Sequence, residues 1–395
     1  MKRILAIGIA CAMMLTAFAG CDKTDEDTPS YEAVNNEFVD VTATDVFGEH
    51  SVTVLGDSIS HGAASVDIHE KGWVALVKAR INELTGDDNY GFTSVEGTLW
   101  GQTKSYELHS FPETPEGFKN RGDAGDGWTE YRTAELLGTK GLGSSVKGAT
   151  LTFTAKKHYA YFYVYYEAGA DHGTFEVYDS AGEMLMDVDA SKGEGYARTE
   201  PIELPEDNKI ILKATSDKEV IFTGIGYYNK PDGVVVSNYA NGGLQLAGTG
   251  VASDGNTTGL DHKFLDLATK SGTLIFAIGY NDAYFSTDMD VFTEKMDYLI
   301  QKANENGTKV IVSDCVWDKS NGDKLFKARY PRVAKVKAQL KRLAEETGGV
   351  YIDQQVASDN AILETLGDGV HPNAEGHAMM AKAILEAMGL AEDKE

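Results

Sequence analysis

Val52-Thr53-Val54-Leu55-Gly56-Asp57-Ser58-Ile59-Ser60-His61-Gly62 is a β-branched run that breaks at one glycine and delivers a serine before the next. The four residues before Gly56 read as a buried strand, and Gly-Asp-Ser reads as the turn that leaves it. A serine at such a strand end can project its hydroxyl from the sheet rim, where a base and backbone donors can converge on it. Ser58 is therefore a candidate nucleophile, although the same tripeptide also builds plain strand-to-helix turns.

Outward from this stretch, apolar residues Trp73, Val74, Leu76, Val77, Ile81 and Leu84 recur at helical spacing until Thr85-Gly86, which predicts a helix that covers the sheet. From Val234 the chain alternates strand and helix: strands at 273–279, 309–314 and 350–353, helices at 291–303, 333–346 and 374–388. That alternation predicts a parallel, doubly wound sheet with its site at the carboxyl ends of the strands. Three stretches fall at those ends: Asn-Tyr-Ala-Asn-Gly-Gly at 238–243, Gly-Tyr-Asn-Asp at 279–282 and Asp-Gly-Val-His-Pro at 368–372.

In this order the four blocks resemble those of the SGNH, or GDSL, hydrolase superfamily, over residues 50–90 and 232–390. The resemblance implies a serine esterase with a three-layer α/β/α, flavodoxin-like core. It assigns the nucleophile to Ser58, the base to His371 and the orienting acid to Asp368, three residues before the base. The oxyanion hole would comprise the backbone amides of Ser58 and Gly243 and the side-chain amide of Asn281; Gly242, adjacent, leaves the glycine open by one position. His377, the rival base, reads as a capping or surface histidine, and His61 could line the pocket without a catalytic role.

Residues 91–231 separate the serine block from the rest and read as an insertion. Residues 98–146 show little periodicity. Short runs at 149–155, 158–168, 174–179, 183–188, 209–214 and 220–228, divided by Gly, Asp and Ser turns, predict a β-sandwich or jelly roll. Along 158–166 the side chains of Tyr159, Tyr161, Tyr163 and Tyr165 share one strand face, opposite Ala160, Phe162 and Val164. Either the strand is buried on both sides or paired at a domain interface, or Tyr161 and Tyr163 form a platform that stacks on sugar rings.

Met1-Lys2-Arg3, the apolar run to Phe18 and Ala19-Gly20-Cys21 have the layout of a secretory signal. The small residues before Cys21 resemble a bacterial lipobox, although Phe18 stands where Leu is usual. The expected organisation is a signal over 1–20, lipid on Cys21, an acidic tether over 21–48, a discontinuous hydrolase domain over 49–90 and 232–391, and an inserted sandwich over 91–231. The protein would then sit outside the cytoplasm, anchored to a bacterial membrane. Cys11 leaves with the signal, so Cys315 is the cysteine of the folded body and no disulfide framework is expected.

The formal charge is −25, and loss of Lys2 and Arg3 with the signal makes it −27, which argues against nucleic acid and anionic surfaces as partners. Scattered histidines and the lack of a phosphate loop argue against a metal or nucleotide cofactor. The expected substrate is an O-acetyl ester on oligo- or polysaccharide. A lipase, lysophospholipase or thioesterase of the same superfamily, and a catalytically inert glycan-binding lipoprotein, are the alternatives.

Overall fold

The computed structural model describes residues 50–94, 106–110, 127–132, 135–155, 157–230, 232–248, 259–285, 287–319 and 330–391. The signal, Cys21 and the tether lie outside these residues.

Strand β1 (His50–Gly56) runs into the single turn α1 (Ser58–His61), and α2 (Trp73–Thr85) follows. The chain then forms β2 (Gly91–Ser94), β3 (Tyr106–Ser110), β4 (Thr129–Arg132), β5 (Lys140–Ser144), β6 (Thr150–Ala155) and β7 (Tyr161–Ala168). β8 (Thr174–Tyr178), β9 (Met184–Asp189), β10 (Gly195–Arg198), β11 (Ile202–Glu203), β12 (Lys209–Ala214) and β13 (Val220–Tyr228) complete this segment. Alternation resumes with β14 (Val234–Asn238), α3 (His262–Ala268), β15 (Thr273–Ala277), α4 (Tyr280–Tyr284), α5 (Met289–Asn306) and β16 (Lys309–Asp314). The last elements are α6 (Arg332–Thr347), β17 (Val350–Asp353), α7 (Gln354–Ala357) and α8 (Ala374–Met388).

Strands β14, β1, β15, β16 and β17 form, in that order, a parallel sheet. Its residues alternate between two cores because successive side chains point to opposite faces. Val52, Val54, Ile275 and Ile311 pack with Trp73, Val77 and Ile81 of α2 and Met380 and Ile384 of α8. Leu55, Val235, Phe276 and Val312 pack on the other face against Phe264 of α3, Met296 and Leu299 of α5 and Leu340 of α6. The predicted three-layer α/β/α core is therefore present. Helix α8 spans the expected residues; Asn373 caps it by accepting the Glu375 and Gly376 amides (2.9 and 3.1 Å), and left-handed Gly389 ends it.

The intervening segment builds two antiparallel sheets, one ordered β10-β7-β13-β5-β4 with β11 and β2 also paired to it, the other β3-β6-β12-β8-β9. Phe162, Val164, Phe222 and Ile225 of the first meet Leu151, Phe153, Val177 and Leu212 of the second in a sandwich core. The insertion is no free-standing module. Phe92, Tyr163, Tyr165 and Tyr228 leave the sandwich on its outer face and join the hydrolase core beside Val235, Tyr239 and Phe264.

Two buried side chains clasp the ends of the insertion. Asn89 accepts the Asn229 and Lys230 amides (2.9 and 3.0 Å) and donates to the Lys230 and Val234 carbonyls (2.9 and 3.2 Å). Asp87 accepts the Val234 amide (2.7 Å) and pairs with Lys230 (2.9 Å). Both side chains are almost fully buried, so leaving either without these partners would cost the desolvation of a buried polar group.

Candidate active site

Ser58 opens α1 directly after β1, and its neighbour Asp57 caps the turn by accepting the Ile59 amide (2.9 Å). Gly56 is required by close approach: a Cβ there would lie 2.2 Å from the Ser60 side chain. Asp368 and His371 arrive in the loop before α8. His371 Nε2 lies 2.8 Å from Ser58 Oγ, and His371 Nδ1 lies 2.6 Å from Asp368 Oδ2.

The proton positions follow from the partners. An ionised carboxylate only accepts, so Nδ1 carries the ring proton and donates to Asp368, leaving the Nε2 lone pair for the Ser58 hydroxyl. Asp368 Oδ1 meanwhile accepts the Val370 and His371 amides, both at 2.8 Å. Burial alone would raise the Asp368 pKa, but the hydrogen bonds from His371 and the two amides outweigh it and hold the carboxyl at about 2. The acid stays ionised, and the 55% exposure of its side chain favours the same state.

The loop that carries these residues is held from β16. The Trp317 indole N–H donates to the Val370 carbonyl (2.8 Å), Lys319 Nζ donates to the Gly369 carbonyl, and the Tyr284 hydroxyl donates to the Trp317 carbonyl. Gln355 secures that segment by accepting the Asp318 amide (2.8 Å) and donating to the Asp318 carbonyl (3.1 Å).

Gly243, with φ +78°, takes the left-handed turn that an L side chain resists. Gly242 does not, so the two glycines differ in backbone conformation. Neither the Ser58 amide nor the Gly243 amide has an acceptor among the described residues. Asn281, in α4, is 7% exposed and donates from Nδ2 to the Leu244 carbonyl (3.0 Å) and to Asp57 Oδ2 (3.2 Å). Asp57 is fully buried, and that burial, with repulsion from Asp282, pushes its carboxyl up to about 7 against the pull of the Ile59 amide. Tyr280 lies close by; burial first, then the charges of Asp57 and Asp368, push its phenol up to about 12.

Three expectations need correction or relocation. His377 is not at the surface: it is fully buried, and it caps a different helix from its own. The Trp73 amide at the start of α2 donates to its Nδ1 (3.3 Å), so Nε2 carries the proton and donates to the Ala63 carbonyl (3.1 Å). Burial keeps this ring neutral, with its pKa down at about 4. Tyr163 offers no face to a sugar: it is 2% exposed, with Tyr228 at 4.7 Å edge-on and the Arg198 guanidinium 4.1 Å over its ring. Tyr161 is half-buried against the same core. His61 ends α1 and faces a small pocket shared with Asn238 and Lys78.

Cys315 is a buried free thiol, as expected of a structural cysteine, with burial pushing its pKa well above the usual value. Asp57, Asp282, Trp317 and Lys319 were missed by sequence reasoning. Asp57 and Asp282 left a signal, each as an acid inside one of the four blocks; Trp317 and Lys319 left none.

The GDSL-like Lipase/Acylhydrolase family profile matches residues 224–379, which hold Gly243, Asn281, Asp368 and His371. Ser58 precedes the matched region because the insertion divides it from the other blocks. The chain is 26% identical over 185 residues to an acetylxylan esterase of Geobacillus stearothermophilus, covering 42% of this chain and 82% of that protein. A solved peptidoglycan O-acetylesterase shares the fold, with a TM-score of 0.59 and 16% identity over 86% of this chain and 90% of its own. The chain thus carries a domain of the GDSL-like lipase/acylhydrolase family and is a carboxylic ester hydrolase of the SGNH type.

Proposed function

We propose that the protein is a serine esterase that removes O-acetyl groups from carbohydrate, using Ser58, His371 and Asp368. The observation that carries this reading is the unbroken hydrogen-bond path from Asp368 through His371 to the Ser58 hydroxyl. His371 takes the Ser58 proton as Oγ attacks the acetyl carbonyl, and Asp368 stabilises the imidazolium that forms. The oxyanion is received by the unengaged Ser58 and Gly243 amides and by Asn281, which gives up its longer bond, to Asp57, for the developing charge. His371 then gives the proton to the departing sugar oxygen; in the second half a water deprotonated by His371 attacks acetyl-Ser58, and His371 returns that proton to Ser58 Oγ as acetate leaves.

An acetylated glycan as substrate is supported by the acetylxylan esterase relative. Export and a lipid on Cys21 rest on the amino-terminal sequence, and detergent-phase partitioning of the full chain tests them; recovery in the aqueous phase would sink the anchor. The catalytic reading predicts that Ser58→Ala releases no acetate from acetylated xylan, mannan, pectin or peptidoglycan and takes no fluorophosphonate label, with its fold unchanged. Turnover above about a hundredth of the parent rate would assign the chemistry to another residue.

A further inference from the structure

Helix α4 presents Asn281 and, next to it, a second acid that the chemistry above does not use. Asp282 is fully buried. Its Oδ2 accepts the Leu246 amide (2.9 Å) and its Oδ1 accepts the Ala247 amide (3.1 Å). The Thr287 hydroxyl donates to Oδ1 (3.4 Å) and accepts from Gln245 Nε2 (2.9 Å), which also donates to the Asn281 carbonyl (3.1 Å). Asn281 Nδ2 in turn holds the Leu244 carbonyl (3.0 Å).

Each residue from Leu244 to Ala247 is thereby bonded to the segment 281–287, and Gly243 is the residue immediately before them. On its other side the turn is held by Asn241. The Asn241 amide donates to the Gly56 carbonyl (3.1 Å), and its side chain donates to the Thr139 hydroxyl of the insertion (2.7 Å). Gly243 thus lies between two anchored stretches, and among the described residues the carboxylate of Asp282 is the group that binds two successive amides of the second. Here the two N–H donors fall on different oxygens, Leu246 on Oδ2 and Ala247 on Oδ1, so a carboxamide in the same place would meet one of them with an NH2 group.

Resting on the reading of Ser58 as nucleophile, we propose that Asp282 is a positioning residue of the oxyanion hole. Its carboxylate locks the loop 244–247 to α4, so that the Gly243 amide and the Asn281 side chain keep the spacing a tetrahedral oxyanion needs. It acts through those donors and contacts no reacting atom. Burial pushes its carboxyl up to about 7 against the opposing pull of the Leu246 and Ala247 amides, so the acid stands here at a desolvation cost that an apolar residue would not carry.

Asp282→Asn keeps the volume but turns an NH2 group toward one of the two amides. Displacing a donor by a fraction of an ångström to 1 Å costs up to about 100-fold in rate. The expected result is a fall in kcat for p-nitrophenyl acetate of about 10- to 100-fold with KM within about twofold, and a similar loss of affinity for methylboronic acid, whose Ser58 adduct places oxygen in the hole. Thr287→Val, which removes the hydroxyl linking Gln245 to Asp282, should act in the same direction by about 3- to 10-fold. It decides the matter if Asp282→Asn does not fold.

Ile384→Ala, in α8 on the opposite face of the sheet, serves as a variant of lowered stability that keeps its kcat. Unchanged kcat and boronate affinity in the folded Asp282 and Thr287 variants, or an equal loss of kcat in Ile384→Ala at matched melting temperature, would overturn the proposal. Ser58→Ala separates the two readings. If it turns over substrate, the nucleophile is wrong; if it is inert while Asp282→Asn is unimpaired, only the positioning role fails.

Discussion

Replacing Asp368 by Asn should harm the enzyme more than replacing it by Ala, and the reason lies in the hydrogen bonds of its two oxygens. Oδ1 accepts two backbone amides at 2.8 Å, while Oδ2 accepts His371 Nδ1–H at 2.6 Å. An asparagine keeps its carbonyl on the two amides, since turning it round would forfeit two bonds of about 1 kcal/mol each and set donors against donors at about 1–3 kcal/mol more. Its NH2 group then faces Nδ1 and donates to it. The ring proton moves to Nε2, opposite Ser58 Oγ, where a lone pair is needed. Recovering the productive tautomer costs about 2–4 kcal/mol, or about 30- to 1000-fold in kcat.

Where such an acid is fully buried in a serine protease the corresponding loss is about 10⁴-fold. Asp368 is 55% exposed, which places the expectation below that, near 10³-fold. In Asp368→Ala water can accept Nδ1–H at this exposed position, the tautomer stays productive, and the loss should be about 10- to 100-fold. The assay is kcat for p-nitrophenyl acetate near pH 8, with circular dichroism as the control for folding. An Ala variant as slow as the Asn variant, or an Asn variant within about tenfold of the parent, would refute the tautomer argument.

Tyr163→Ala should lower unfolding free energy by about 3–5 kcal/mol, as expected for a large buried aromatic, and should slow acetylated xylan and p-nitrophenyl acetate in proportion. Loss confined to the polysaccharide would restore Tyr163 as a sugar contact. His377 gives a pH dependence of known sign. Its folded pKa of about 4 lies below the ordinary 6.5, so the unfolded chain binds the extra proton, and stability present above pH 6.5 is lost as pH falls toward 4, by about 3 kcal/mol. His377→Gln, followed by urea unfolding across that range, should flatten the wild-type slope by that amount; an unchanged slope would mean that the ring is protonated in the folded state.

The parts of this protein legible in its sequence are those made by neighbours along the chain. The alternating Val-Thr-Val-Leu of β1, the helical spacing of α2 and the Asn373 and Gly389 stops of α8 are local patterns with local causes, and they were enough to order the α/β core. Asp368 and His371 are likewise one turn apart, so their pairing needs only the backbone between them. Which Gly of the pair 242–243 turns left-handed, by contrast, depends on anchors at Gly56, Thr139 and Asp282, drawn from three separate parts of the chain.

A period-two pattern says that Tyr161, Tyr163 and Tyr165 share a face but not what covers it. Here the cover for Tyr163 and Tyr165 is the hydrolase core itself, and that turns an apparent sugar platform into an interface. Burial of His377 and the clasp of Asp87 and Asn89 on residues 229–234 arise in the same way. Local propensity chose the elements, whereas the environment of each side chain was decided by surfaces that meet across as many as 314 residues of chain, where no sequence pattern records the contact.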